Sequence, residues 1–309
     1  MRPHLTAFRR SVGAACALLL GGCAGYSSPH GAPAIPAFER TAATRPGFAI
    51  SEVYGSHVLV FGADAASNPL PRCRVGASRA AGIDSDENGD LYVPIAGRVV
   101  EYAPNCGPMI AQWSSPLAQV IDIAVRGPKL YVAGYGRRNG RGNFVAICEN
   151  GACASRLTYS SIAIIFGVAV DSAGNVWVSA STAKTNASLF VWPNGTMPGR
   201  RVRGYVNPDP GGLDFTNGGT LLAVDSFTPN VYGYRCDARS ARCDRAGTWP
   251  LQGESFFGKL DRRNQLYEAP DYNDGRVDVY AYPGFAYLYS YGKGLDASLH
   301  VGGIAPLPE

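Results

Sequence analysis

One pattern returns along this chain and restricts the folds open to it. The segment GIDSDENGDLYV from Gly82 lines up with GVAVDSAGNVWV from Gly167 and with GLDFTNGGTLLA from Gly212. Two shorter copies, DIAVRGPKLYV from Asp122 and GKLDRRNQLY from Gly258, keep the same order, and a sixth, GIAP, opens at Gly303. The starts are 40 to 46 residues apart. Within each unit an apolar strand meets a Gly/Asn/Asp turn, then an aromatic-bearing strand such as LYV or VWV. A polar loop, a strand ending in an aromatic (VVEY, LFVW, VYGY, VDVY) and a Pro/Gly turn into a weaker fourth strand complete the unit. Four strands in 40–46 residues is the period of a propeller blade.

The sixth unit stops at Glu309, just after its first strand. Three unassigned strand-like runs, GFAISEV, HVLVFGAD and LPRCRV, precede the first full unit. The sequence therefore predicts an all-β, six-bladed propeller of four-stranded antiparallel blades over residues 47–309, its last blade closed by strands from both chain ends. Closure leaves no long unpaired sheet edge. The 38 Gly, 22 Pro and 17 Tyr suit such a turn-rich β chain. Tyr92, Tyr131, Trp177 and Tyr267 recur at one strand position, as packing between blades requires.

The run GVAVDSAGNVWV, with Asp171 and Gly174, resembles an NHL repeat, and the units together resemble the six-bladed propellers that include gluconolactonase-like proteins. The resemblance covers residues 47–309. It implies the fold and leaves function open, because lyases, lactonases, scaffolds and ligand binders share this architecture. For a lactonase it implies Glu and Asn metal ligands and an Asp just before the Gly of such a run. Phe166 stands at that place, and no Glu-Gly-Pro opening motif is present.

Ahead of the repeats, Arg9 and Arg10 precede an apolar run from Val12 to Leu20, short for a bilayer span. Leu20-Gly21-Gly22-Cys23 follows and resembles the lipobox of bacterial lipoproteins. Residues 1–22 are expected to be a signal peptide, Cys23 the lipidated first residue of the mature chain, and residues 23–46 a Pro/Gly/Ser-rich tether. Ala24 after the Cys suggests the outer membrane or cell surface. Loss of Arg2, Arg9 and Arg10 with the signal takes the formal charge from +4 to +1. Such a near-neutral domain has no long-range field for nucleic acid or anionic lipid. The expected partners are the membrane, through the anchor, and a small polar ligand or an envelope protein; the chain is expected to be a monomer with no cofactor.

Six cysteines follow Cys23. Cys148 and Cys153 flank ENGA, and Cys236 and Cys243 flank DARSAR, so each pair brackets a turn that can bring its sulfurs together. Cys73 and Cys106 are left for each other. Zinc spacings such as CxxC are absent, and disulfides suit an exported protein.

Candidate chemistry is sparse. Asp84, Asp86 and Asn88 ahead of Gly89 match the opening of a calcium loop, but Ile95 stands where its closing Glu belongs. Asp84, Asp122, Asp214, Asp225 and Asp271, with Tyr135, Tyr272 and His300, are placed near the channel mouth on the side of the second-to-third strand loops. His57 and His300 are the propeller's two histidines, and no G-x-S-x-G elbow accompanies them. Recognition is expected instead from the varied loops on that side, with Arg137, Arg138, Asp225, Asp271 and Tyr272 as ligand-binding candidates. The resulting expectation is a non-catalytic binding or scaffolding module. The alternatives are a gluconolactonase-like hydrolase or lyase with a degenerate metal site and an envelope assembly factor.

Overall fold

The computed structural model describes residues 46–62, 69–77, 80–136, 142–185, 187–207, 209–270 and 275–308. Cys23, the signal and nearly all of the tether, and Arg137, Arg138, Asp271 and Tyr272 lie outside the described residues. The described chain forms six four-stranded sheets. Numbered by chain order, the innermost strands are Asp84–Ser85, Leu117–Arg126, Ile162–Val170, Pro210–Phe215, Ser255–Leu260 and Val301–Pro306. Each packs beside the next and the sixth beside the first, so the ring is closed.

Blade six is the composite. Its inner strand Val301–Pro306 pairs with Pro46–Glu52, which pairs with His57–Gly62, which pairs with Cys73–Gly76. The seam is the Pro46–Glu52/Val301–Pro306 ladder, with Ala49 opposite Ala305 and Ile50 opposite Ile304. Blade six thus has no turn between its first two strands. Both Pro46 and Pro306 lie at the face where the other blades carry that turn, here called the turn face. The opposite, loop face carries the connections between second and third strands.

The core is divided among the blade interfaces. Six clusters of buried apolar residues each combine side chains from two neighbouring blades. The aromatic column is part of these seams: Trp177 is 1% exposed and packs between blades three and four, Tyr131 between two and three.

Near the axis the reason for the repeated glycine is steric. A Cβ on Gly167 would stand 2.9 Å from the Gly211 carbonyl oxygen, and one on Gly303 would stand 2.7 Å from Gly82 Cα. Both distances are too short for any side chain. Second-strand serines stitch the same seams: Ser51 Oγ donates to the Ala81 carbonyl at 2.7 Å and Ser179 Oγ to the Gly211 carbonyl at 2.5 Å.

All three expected disulfides form. Cys148–Cys153 and Cys236–Cys243 close the outer hairpins of blades two and four. Cys73–Cys106 joins the outer strand of blade six to the turn after the third strand of blade one, clamping these two blades together from outside. A loop of 33 residues makes this bond worth about 3–4 kcal/mol by chain entropy.

Removing Val301–Glu309 deletes the inner strand of blade six and unpairs Pro46–Glu52 on its axial side. The truncated protein is expected to aggregate, or to melt at least ~10 °C lower by circular dichroism, through loss of several buried apolar side chains and a ladder. An unchanged melting curve would show that the ring does not depend on this strand.

Candidate functional site

The repeat that builds the blades also places charge on the axis. Cross-strand partners fix the register: Asp84 faces Tyr92, Ala124 faces Tyr131, Ala169 faces Trp177, Asp214 faces Leu222 and Lys259 faces Tyr267. These five residues therefore occupy one structural position. It follows that Phe257, not Gly258, is the true start of the fifth unit. Aligned from Gly258, Lys259 falls in the apolar column of Ile83 and Val168 and its role is hidden. Moved by one, it joins Asp84 and Asp214 as a charged set, which is the sequence signal that locates it.

Asp84 and Asp214 perform the same task. Asp84 accepts from its neighbour Ser85 N at 2.9 Å and from Val125 N of blade two at 2.8 Å. Asp214 accepts from Phe215 N and from Leu260 N of blade five, both at 2.7 Å. Asp122 sits two residues earlier on its strand, at the glycine position, and accepts from Ile123 N and from Val168 N of blade three, both at 2.9 Å. Each aspartate thus holds an otherwise open backbone N–H of the next inner strand.

Lys259 reaches across the channel from blade five to blade two, which lies opposite in the ring. Its Nζ donates to the Ile123 carbonyl at 3.3 Å and stands 4.0 Å from Asp122 Oδ1, with the residue only 6% exposed. The small Ala124 and Ala169 at the matching positions of blades two and three leave it room. Burial alone would push the ammonium's pKa down, but the Asp122, Asp84 and Asp214 charges outweigh burial and hold it up. Burial pushes Asp84 up to about 6 against the pull of Lys259, and raises Asp122 and Asp214 in the same way. The three acids lie inside the channel rather than at its loop-side mouth, because their strand positions fall further toward the turn face.

Asp84, Asp214 and Lys259 form the floor of a cavity of about 1440 Å³ that opens at the turn face. Its walls are the first-to-second strand turns, including Asp86, Asn88, Thr216, Asp261 and Arg263, with Pro306 and Pro308 filling the place of blade six's missing turn. The acidic DSDENG stretch is one of these turns. Asp86 Oδ1 accepts from Asn88 N and Asp90 N, both at 2.9 Å, and its second oxygen from the Asn88 amide. Asp171 and Asp261 repeat this arrangement. With Asp84 occupied at the seam, the carboxylates do not converge on one centre. Among the described residues, no group of three or more His, Cys, Asp or Glu could hold a metal ion.

The metal site implied by the gluconolactonase-like resemblance does not fit either. The residues just before the glycine position of the six inner strands are Ala81, Ile121, Phe166, Gly211, Phe256 and Gly302, none with a donor side chain for a cation. Asp225 also needs correction as a ligand contact. Its side chain is fully buried, accepting from Phe227 N, Thr228 N and Thr228 Oγ1. It shapes its loop from within. His300 packs edge-on against Tyr54, with ring centroids 5.1 Å apart. Ser56 Oγ meets His57 Nδ1 at 2.9 Å, but these are chain neighbours at exposed surface and no described carboxylate orients the ring, as a triad requires. Glu268 is raised to about 8 by burial and then by the facing Asp278, yet it is 0% exposed between blades four and five, out of reach of a substrate.

Comparison with solved structures finds the same fold. The luciferin-regenerating enzyme is similar with a TM-score of 0.52 at 15% identity, covering 72% of this chain and 78% of that one. A protein of unknown function from Bacteroides caccae gives 0.62 at 11% identity, covering 86% of this chain and 100% of the other. The calcium-binding protein regucalcin from Agrobacterium tumefaciens gives 0.50 at 15% identity, covering 73% and 77%. At such identities the likeness is one of fold. No protein-family model matches the sequence, and no curated protein matches it.

Replacing Lys259 with Met leaves buried Asp122 and the half-buried Asp84 and Asp214 without their cation, a loss expected to reach about 3–5 kcal/mol at pH 8. Without the ammonium, the folded-state pKa values rise further above the ordinary carboxylate value. The folded protein then binds protons that the unfolded chain has released, and stability falls as pH rises through that window. The variant should therefore lose more stability at pH 8 than at pH 5 in urea titrations; an equal loss at both would refute the charged cage.

Proposed function

We propose that this chain is an exported, lipid-anchored propeller that acts as a non-catalytic binding or scaffolding module of the cell envelope. The observation that carries the reading is the state of the axial carboxylates. Asp84, Asp122 and Asp214 each hold two backbone N–H groups, so the residues a propeller enzyme would use on its axis serve its architecture. Disulfides at all six propeller cysteines favour an oxidising compartment. The anchor rests on the lipobox-like Leu20–Cys23. The described chain begins with Pro46 at the turn face, opposite the second-to-third strand connections, to which Arg137, Arg138, Asp271 and Tyr272 belong by sequence.

In cells, the wild-type protein is expected in the membrane fraction and Cys23→Ser in the soluble fraction; unchanged fractionation would overturn the anchored reading. Hydrolysis of sugar lactones above the uncatalysed rate, with divalent cations added, would overturn the non-catalytic one. Once a partner is in hand, alanine variants at Arg137, Arg138 and Tyr272 should weaken its binding at least ~10-fold, as anchor residues do, with melting unchanged. Loss confined to Asp86 and Arg263 variants would move recognition to the turn-face cavity.

A further inference from the structure

The outer strands of blades three and four meet at a seam rich in arginine. Blade three ends in the short strand Arg200–Arg201, and blade four in the hairpin of Asn230–Asp237 with Arg242–Pro250. Arg200 guanidinium donates to the Arg239 carbonyl at 2.5 Å. Arg203 N donates to the Ala241 carbonyl and its own carbonyl accepts from Cys243 N, both at 2.9 Å, and Arg203 bridges Arg242. Arg200, Arg201, Arg203, Arg239 and Arg242 are all exposed. Their acidic neighbours are Asp237, whose Oδ1 accepts from Arg239 N, and Asp244, paired with Arg242 at 2.9 Å. Backbone pairing and the Cys236–Cys243 bond therefore hold five arginines on adjoining strands and one turn against two carboxylates, the Arg201 guanidinium donating to Thr185 Oγ1 at 3.4 Å. Like charges so placed repel one another, and an external anion relieves that repulsion.

The patch lies toward the turn face. The hairpin turn at Arg239 joins a third to a fourth strand, and such turns share a face with the first-to-second strand turns and with Pro46. Beside it Met197, on the connection leading into Arg200, is 51% exposed. A cluster of guanidinium groups flanked by an apolar side chain matches an interface of phosphate headgroups over acyl chains, with Arg suited to bidentate phosphate contact. The mature chain's near-neutral charge denies it long-range attraction, but a concentrated patch acts at contact, within a Debye length. The 24 residues from Cys23 to Pro46 span at most ~80 Å, which keeps the propeller close to any bilayer holding the Cys.

We propose that the arginine seam of blades three and four docks the propeller, turn face down, on anionic phospholipid headgroups. This rests on the lipid-anchored reading, but its test does not use the lipid. The mature chain from residue 23, carrying Cys23→Ser, is mixed with vesicles of phosphatidylglycerol and phosphatidylcholine and sedimented. It is expected to bind these at low salt, to bind pure phosphatidylcholine poorly, and to be released by high salt. Substituting Arg201→Gln, Arg203→Gln and Arg239→Gln together should weaken partitioning about 100-fold, at about fivefold for each arginine near the surface. The control triple Arg98→Gln, Lys184→Gln and Lys293→Gln removes the same charge from the loop face and should leave binding within about twofold, since charge beyond a Debye length is screened. Equal losses in the two triples would show a net-charge effect and overturn the proposal. So would tighter binding to a soluble polyanion than to the vesicles, which would make the seam a polyanion site. Failure here with Cys23-dependent membrane fractionation intact would remove the docking surface and leave the anchor standing.

Discussion

Everything in this molecule follows from how closely six inner strands approach one another around the axis. Where Gly167 faces Gly211 and Gly303 faces Gly82, a single added carbon would collide with backbone. That contact dictates the repeated glycine and brings open N–H and C=O groups of neighbouring blades within side-chain reach. A polar side chain admitted to this zone must serve those groups, because an unpaired backbone polar atom there costs about as much as a lost hydrogen bond. The aspartates and serines along the seams meet that demand.

The same constraint shapes the functional reading. A carboxylate that holds two backbone donors is fixed in place by them. Lys259 offsets the charge these acids accumulate and crosses the channel between its two ends. The axial acids therefore serve the architecture of the ring.

The architecture was legible because it is written in period and in turn chemistry. Glycine spacing gave the blades, and the stranded runs at both ends gave the composite sixth blade. Cysteine pairs that bracket turns gave two disulfides, since a hairpin fixes which sulfurs meet, and Cys73–Cys106 followed by elimination. The axial cage was not legible. Asp84, Asp122 and Asp214 were visible as a set, but strand polarity decides how deep each sits. Lys259 was masked by a one-residue difference at the start of its unit, and a slip of one residue reverses the face of every side chain in a strand. Asp225 misled for a related reason: a polar residue at the end of a strand reads the same whether it faces solvent or anchors its own loop. The arginine seam escaped because its members come from two blades and meet only through the third and fourth strands.

The composite blade also decides how the propeller bears load. The first described strand, Pro46–Glu52, is hydrogen-bonded along both edges, to Val301–Pro306 on one side and His57–Gly62 on the other. A pull from the turn face runs along that strand, so the bonds of both ladders are sheared together rather than opened one after another, as they would be in a strand peeled from an edge. Cys73–Cys106 holds the neighbouring seam by a covalent link while the ladders are strained. The composite blade thus sets the first described strand in the interior of a sheet, where tension is shared.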